Sequence, residues 1–199
     1  MSHVEQALLP GRLLERGFVD AGDAQQALLA QAQNLRQSAS LLEGFSDEEL
    51  AVLGQVMRCL EARPGQVLIE EGESGDWMLI VLRGTVDVTK RIMRVDPSGK
   101  ATDELLEESR LAVVRSGASL GEMSMLDSEL RNARCTAIDD VTVAVLTRAA
   151  VGQLIVQQPT VGAKLLVKTN QLLAQRLRNT SAQLVKLVAQ NKQNALFRS

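Results

Sequence analysis

The chain has 199 residues, 45% apolar and 23% charged, with a formal net charge of −2, the make-up of one or two globular domains. Three Phe, one Trp and no Tyr exclude an aromatic platform for single-stranded nucleic acid. A lone histidine, His3, and no CxxC spacing at Cys59 or Cys135 exclude histidine-based catalysis and most metal centres.

No apolar run reaches the roughly 18 residues needed to cross a bilayer, and the N-terminus lacks the basic start and apolar core of a secretion signal. A cytoplasmic chain with two free, buried thiols is therefore expected, without a transmembrane segment. Charge is unevenly spread. Residues 160–199 carry seven Lys or Arg and no acid, so the other 159 residues sum to −9, a basic tail on an acidic body.

In chain order, residues 22–38 (GDAQQALLAQAQNLRQS) are rich in Ala, Leu and Gln and predict a helix. Ser46 and Glu49 form a capping box that opens a second helix, expected to end near Arg58 to Ala62, before Pro64. Beyond Pro64 the pattern changes to short β-type runs: VLI (67–69), WMLIVL (77–82), TVDVTKRI (85–92), RLAVVRSG (110–117) and CTAIDDVTVAVLT (135–147). Gly65, Gly72, Gly75 and Gly84 punctuate the first of these, and DPSG (96–99) is a turn. Strands at about ten-residue spacing argue for a barrel or jelly roll. Helical periodicity returns at Arg148, breaks at Pro159 and resumes to about Asn191. The fold class is α+β, with about eight antiparallel strands. The chain divides into an N-terminal helical extension (1–40), a β-barrel with flanking helices (41–159) and a long basic helix (160–199).

Between two strands stands LGEMSML, a short helical turn, followed by Arg131. Gly121 lets backbone approach a ligand, and the free amides at the start of the turn suit an anion. Arg131 can fork two hydrogen bonds onto phosphate oxygens. Glu122 would repel a phosphate but suits a sugar hydroxyl. An anion donor set beside a hydroxyl acceptor describes a ribose phosphate.

These residues resemble the phosphate-binding cassette of the cyclic nucleotide-binding domain family, which reads Gly-Glu-Leu/Ile-Ala-Leu, a short loop, then Arg-Ala/Thr/Ser-Ala. Gly121, Glu122, Met123, Ser124 and Met125 match the first part, and Arg131, Asn132 and Ala133 the second. The glycine-punctuated opening strands match as well, so the resemblance covers about residues 41–190. It implies that Glu122 binds the ribose 2′-hydroxyl, that Arg131 pairs with the cyclic phosphate, and that the amides of Gly121, Met123 and Ser124, with the Asn132 side chain, complete the site. Two positions depart from the family: its usual Pro before the arginine is Leu130, and its usual Thr or Ser three residues after is Arg134.

The segment LLAQRLRNTSAQL (172–184) resembles the dimer helix of bacterial catabolite activators, whose Thr-Ser pair reaches the base from both subunits. Thr180 and Ser181 match that pair locally, whereas an ungapped alignment puts Arg176 there. Asn170, Leu177, Leu184 and Asn191 occupy one heptad position, and Leu166, Leu173, Thr180 and Leu187 another, the seam of a parallel pair. GRLLERGFVDAGDAQQALLAQ resembles half of a cyclic di-GMP-binding N-terminal module.

The reading is a non-catalytic sensor of a purine 3′,5′-cyclic monophosphate, cAMP ahead of cGMP, with no cofactor beyond that ligand. A homodimer through the C-terminal helix would relay a helix movement to an unknown downstream protein. Sequence-specific DNA binding is not expected, since only about ten residues follow Gln190. Two other readings stand beside it: a ligand-free dimerisation or interaction module, and a cyclic di-GMP receptor suggested by Asn132 and Arg134.

Overall fold

The computed structural model describes residues 11–36, 40–96, 98 and 100–196. The first ten residues, His3 among them, lie outside these, as do Pro97 and Gly99 of the turn at 96–99 and Arg198. Elements run in the order α1 (Gly11–Glu15), β1 (Val19–Asp23), α2 (Gln25–Ala30), α3 (Ala32–Leu35), α4 (Asp47–Gln55), β2 (Arg58–Ala62), β3 (Val67–Ile69), β4 (Trp77–Arg83), β5 (Val86–Val95), β6 (Ala101–Val114), β7 (Ser119–Leu120), α5 (Glu122–Asp127), β8 (Arg134–Ala137), β9 (Val141–Thr147), α6 (Arg148–Gln157) and α7 (Pro159–Leu196).

All pairings are antiparallel, in a five-stranded sheet ordered β1-β2-β9-β4-β7 and a four-stranded sheet ordered β3-β8-β5-β6. This is the expected jelly roll, with nine strands among the described residues.

Strand β4, inside the five-stranded sheet between β9 and β7, explains the layering. Its run WMLIVL is apolar throughout because both faces are covered, and alternate residues serve different cores. Trp77, Leu79 and Val81 point between the two sheets, joining Leu60, Leu68, Val86, Val143 and Val145. Met78, Ile80 and Leu82 face the helices, joining Leu28, Leu35, Leu50, Leu53, Leu154 and Leu165. The five-stranded sheet is thus the middle layer of three.

Three expectations are corrected. The helix opened by Ser46 does have its capping box, but it stops at Gln55, and Arg58–Ala62 is strand β2. There Cys59, Leu60 and Ala62 are buried against β9, and sheet pairing outweighs local helix propensity. The N-terminal extension is not wholly helical: β1 adds an edge strand to the sheet through β2. Its attachment is reinforced by Asp20 with Arg58 (2.5 Å) and by Arg16 with Glu73 (2.6 Å). The helix read over 22–38 starts later and breaks at Gln31 into α2 and α3.

The extension packs closely on α4. A β-carbon added to Gly54 would overlap backbone atoms of Gln25. Gly54→Ala should therefore force α2 and α4 apart at a cost of about 1–3 kcal/mol, lowering Tm by roughly 2–12 °C for a chain of this size. An unchanged melting curve would show that the extension does not dock there.

Candidate functional site

Strand β7 ends at Leu120, and Gly121 then turns the chain with φ +79° into the single-turn helix α5. That helix ends at Ser128, also left-handed at φ +67°. Arg148, the first residue of α6, grips this end, donating to the carbonyls of Ser124 (2.9 Å) and Met125 and to the Ser128 hydroxyl (2.8 Å). Nothing in the sequence points to this clasp between the short helix and α6.

The loop after α5 returns Arg131 to the opposite side of the turn, where its own backbone is paired. Its N–H donates to Glu73 O and its carbonyl accepts from Gly72 N, both at 2.8 Å. Arg131 as a whole is only 4% exposed, and its guanidinium is enclosed. It donates to the carbonyls of Gly121 and Trp77, each at 2.7 Å, and lies 4.3 Å from the Trp77 ring centroid.

Gly75 and Gly121 make room for it. A β-carbon at either position would overlap the guanidinium, which is why glycine stands at both. Burial pulls the Arg131 pKa down, and the carboxylates of Asp76, Glu122 and Glu73 push it back. A guanidinium remains charged in a protein, so the site holds a desolvated cation.

Glu122, at 2% exposure, faces it from the first turn of α5. One carboxylate oxygen, Oε1, accepts from Arg176 Nη1, while Oε2 is buried and has no hydrogen-bond partner among the described residues. Arg176 descends from α7 and also donates to Ser119 O at 2.7 Å. Together these groups line a cavity of about 130 Å³, with Ile69, Val88, Leu120, Ala133 and Cys135 on its walls. Burial pushes the Cys135 thiol up to about 12, so it serves as an inert wall.

Of the expected residues, Gly121, Glu122, Met123, Ser124, Arg131 and Asn132 all line this one cavity. Thr180 and Ser181 are not brought to it. Both are exposed, one turn beyond Arg176, and the Thr180 hydroxyl donates to Arg176 O at 3.0 Å. Arg176 itself reaches the cavity, as the ungapped alignment allowed. Its spacing, one turn before the Thr-Ser pair, is the signal for it. Arg134 lies on the outer face of the sheet with Asp87, Thr89 and Thr136, near Glu70 (3.5 Å). The cyclic di-GMP reading thereby loses one of the two residues that suggested it.

The sequence profile of the cyclic nucleotide-binding domain matches residues 59–158, half of the chain and every cavity-lining residue except Arg176. The chain belongs to the cyclic nucleotide-binding domain family. Among curated relatives, the CRP-like cAMP-activated global transcriptional regulator of Mycobacterium tuberculosis is 27% identical over 150 residues, 75% of this chain and 60% of the regulator. The cGMP-dependent protein kinase egl-4 of Caenorhabditis elegans is 30% identical over 122 residues, 61% of this chain but 14% of the kinase. This chain thus spans less than two thirds of either relative.

Among solved structures, a cyclic nucleotide-binding domain from Methylobacillus flagellatus superposes with a TM-score of 0.70 at 33% identity, covering 84% of this chain and 88% of that one. The catabolite activator protein of Thermus thermophilus gives 0.61 at 26% identity, over 75% of this chain and 63% of that one. No described helix of this family member is long and apolar enough to cross a membrane.

Proposed function

We propose that this domain is a non-catalytic sensor of a purine 3′,5′-cyclic monophosphate, cAMP ahead of cGMP, acting in the cytoplasm. One observation carries the reading. Among the described residues Glu122 Oε2 is buried without a partner, on the wall of the same cavity as the desolvated Arg131 cation. An unsatisfied buried acceptor costs about 1–3 kcal/mol, and a ribose 2′-hydroxyl would relieve it. The cyclic phosphate then sits toward Arg131 and the amides of Gly121, Met123 and Ser124, where a helix start favours an anion. Asn132 adds a side-chain amide. cAMP is placed first because similarity to the cAMP-activated regulator runs over more of the chain than similarity to the cGMP-dependent kinase.

Arg176 gives the sensor its output. It ties α7 to Glu122 across a cavity smaller than the roughly 300–1,000 Å³ of most small-molecule sites. A nucleotide entering there must share Glu122 with Arg176 or displace it, and α7 moves accordingly. From Leu177 the helix stands clear of the barrel, with Leu177 69% and Leu184 62% exposed, and Val185 and Leu187 beside them. A second copy covers this stripe in a parallel pair, and Thr180 or Ser181 of that copy can then approach the base. The changed α7 surface is what a downstream protein reads.

A second reading draws on the same ion pair: Glu122 and Arg176 close the cavity permanently, and the domain serves only as a dimerisation or interaction module.

Thermal melting separates the two. A ligand at 100 times its Kd adds about 2.7 kcal/mol, so millimolar cAMP or cGMP should raise Tm by roughly 5–10 °C. Arg131→Ala should remove the shift, and Arg131→Lys should shrink it by losing the fork. If neither nucleotide nor cyclic di-GMP moves the melting curve, the interaction-module reading stands.

The oligomer is tested by sedimentation. Leu177→Asp with Leu184→Asp should convert a dimer into monomers, because a buried unpaired charge costs several kcal/mol. A wild-type monomer with and without nucleotide would show that α7 only lids its own barrel.

A further inference from the structure

Lys90, on β5, is a cation that the reading above leaves without a task. Along β5, residues alternate between the two faces of the sheet. Asp87 and Thr89 face outward with Arg110, Arg134 and Thr136, whereas Val86 is buried between the sheets and Val88 lines the cavity. The pairing with β8 is regular over this stretch, Val88 opposite Cys135 and Thr89 opposite Arg134. The same alternation puts Lys90 on the cavity side of β5, one step beyond Val88 and just outside the residues that line the cavity.

Its ammonium donates to Oδ1 of Asn132, the residue that follows Arg131 on the cavity wall. Neighbouring cations on the same sheet are neutralised by carboxylates: Arg91 by Glu71, Arg94 by Glu104, Arg110 by Asp87 and Arg134 by Glu70. Among the described residues no carboxylate pairs with Lys90; its partner is a neutral amide oxygen. Sequence reasoning had no means to place a strand lysine 42 residues before Asn132 at the same rim.

We infer that Lys90 is a further ligand-binding residue, held by Asn132 so that its ammonium meets the exocyclic phosphate oxygen turned away from Arg131. The inference rests on the cyclic-nucleotide reading and adds a second, oppositely placed cation to it. The two exocyclic oxygens of a cyclic phosphodiester are distinct, and each would have its own positive partner. Arg131 is buried on the inner side and Lys90 partly solvated at the rim, so the lysine contact is the more sensitive to salt.

The experiment is calorimetric titration of wild type, Lys90→Met and Lys90→Arg with cAMP and with the two diastereomeric cAMP phosphorothioates. In each diastereomer a sulfur replaces one exocyclic oxygen, weakening whichever contact that oxygen made. Lys90→Met should bind cAMP about tenfold more weakly, the order expected for one charge-assisted bond at a partly solvated site. It should also alter the ratio of affinities for the two diastereomers, because one of the two substitutions no longer removes a contact. Lys90→Arg should keep wild-type affinity within about threefold, since the charge remains.

Wild-type affinity in Lys90→Met overturns the inference. So does a loss that leaves the diastereomer ratio unchanged, since general loosening or a diffuse field would act on both isomers alike. Wild-type protein that binds none of the three nucleotides would overturn the cyclic-nucleotide reading itself, and this inference with it. Unchanged Tm in both variants is expected, because Lys90 contributes nothing to either apolar core.

Discussion

The structure is organised around a guanidinium placed almost wholly out of water. Moving a cation from water into a protein interior costs several kcal/mol even after relaxation. Around Arg131 that cost is offset by two backbone carbonyls, by the face of Trp77, worth about 0.5–2 kcal/mol, and by the acids that oppose its desolvation. Each partner constrains a separate piece of chain. Trp77 begins strand β4, Gly121 turns from strand into helix, and the Glu73 carbonyl takes the Arg131 amide. Gly75 and Gly121 must lack a β-carbon for the group to fit. A cation held this way is fixed in position and not neutralised, the preorganisation an anion site needs.

Much of this was legible in the sequence, and for identifiable reasons. The strand runs from Val67 to Thr147 carry β-branched alternation or doubly buried apolar stretches, and glycines separate the early ones. The Gly-Glu-Met-Ser and Arg-Asn-Ala pieces, through their resemblance to the family's cassette, supply seven of the lining residues. What escaped depends on tertiary contact. Nothing local says that Arg58–Ala62 will pair with β9 and leave the helix, or that Val19–Asp23 will join a sheet. Trp77 under Arg131, Arg148 on the end of α5 and Lys90 beside Asn132 are 54, 23 and 42 residues from their partners in sequence. The departure at Arg134 looked like a change in the site and proved to lie on the outer face, because one residue of shift along a strand reverses its side.

Helix α7 carries two duties that divide near Arg176. Before it, Val161, Leu165 and Thr169 are buried against the barrel, and Lys164 and Lys168 pair with Glu49 and Glu43. After it, the described helix is exposed and its cations have no acidic counterpart on their own segment. Two of the expected seam positions, Leu166 and Leu173, are partly buried, with Leu166 packed against the helix-facing core; Leu177, Leu184 and Leu187 are exposed. Arg176 sits at the junction, so under the proposed relay a ligand competing for Glu122 would act where the anchored half meets the free half.

The central claim is that the unpartnered oxygen of Glu122 awaits a ribose hydroxyl in the cavity that Arg131 charges. Comparing cAMP with 2′-deoxy-cAMP by calorimetry tests it most directly, since the two ligands differ only in that hydroxyl. A site built to accept a hydroxyl rejects a ligand lacking it, because the buried acceptor stays unpaired. The deoxy ligand should bind roughly 10–100-fold more weakly, the equivalent of about 1.4–2.7 kcal/mol, and Glu122→Ala should narrow that gap. Equal affinity of wild-type protein for the two ligands would contradict the account.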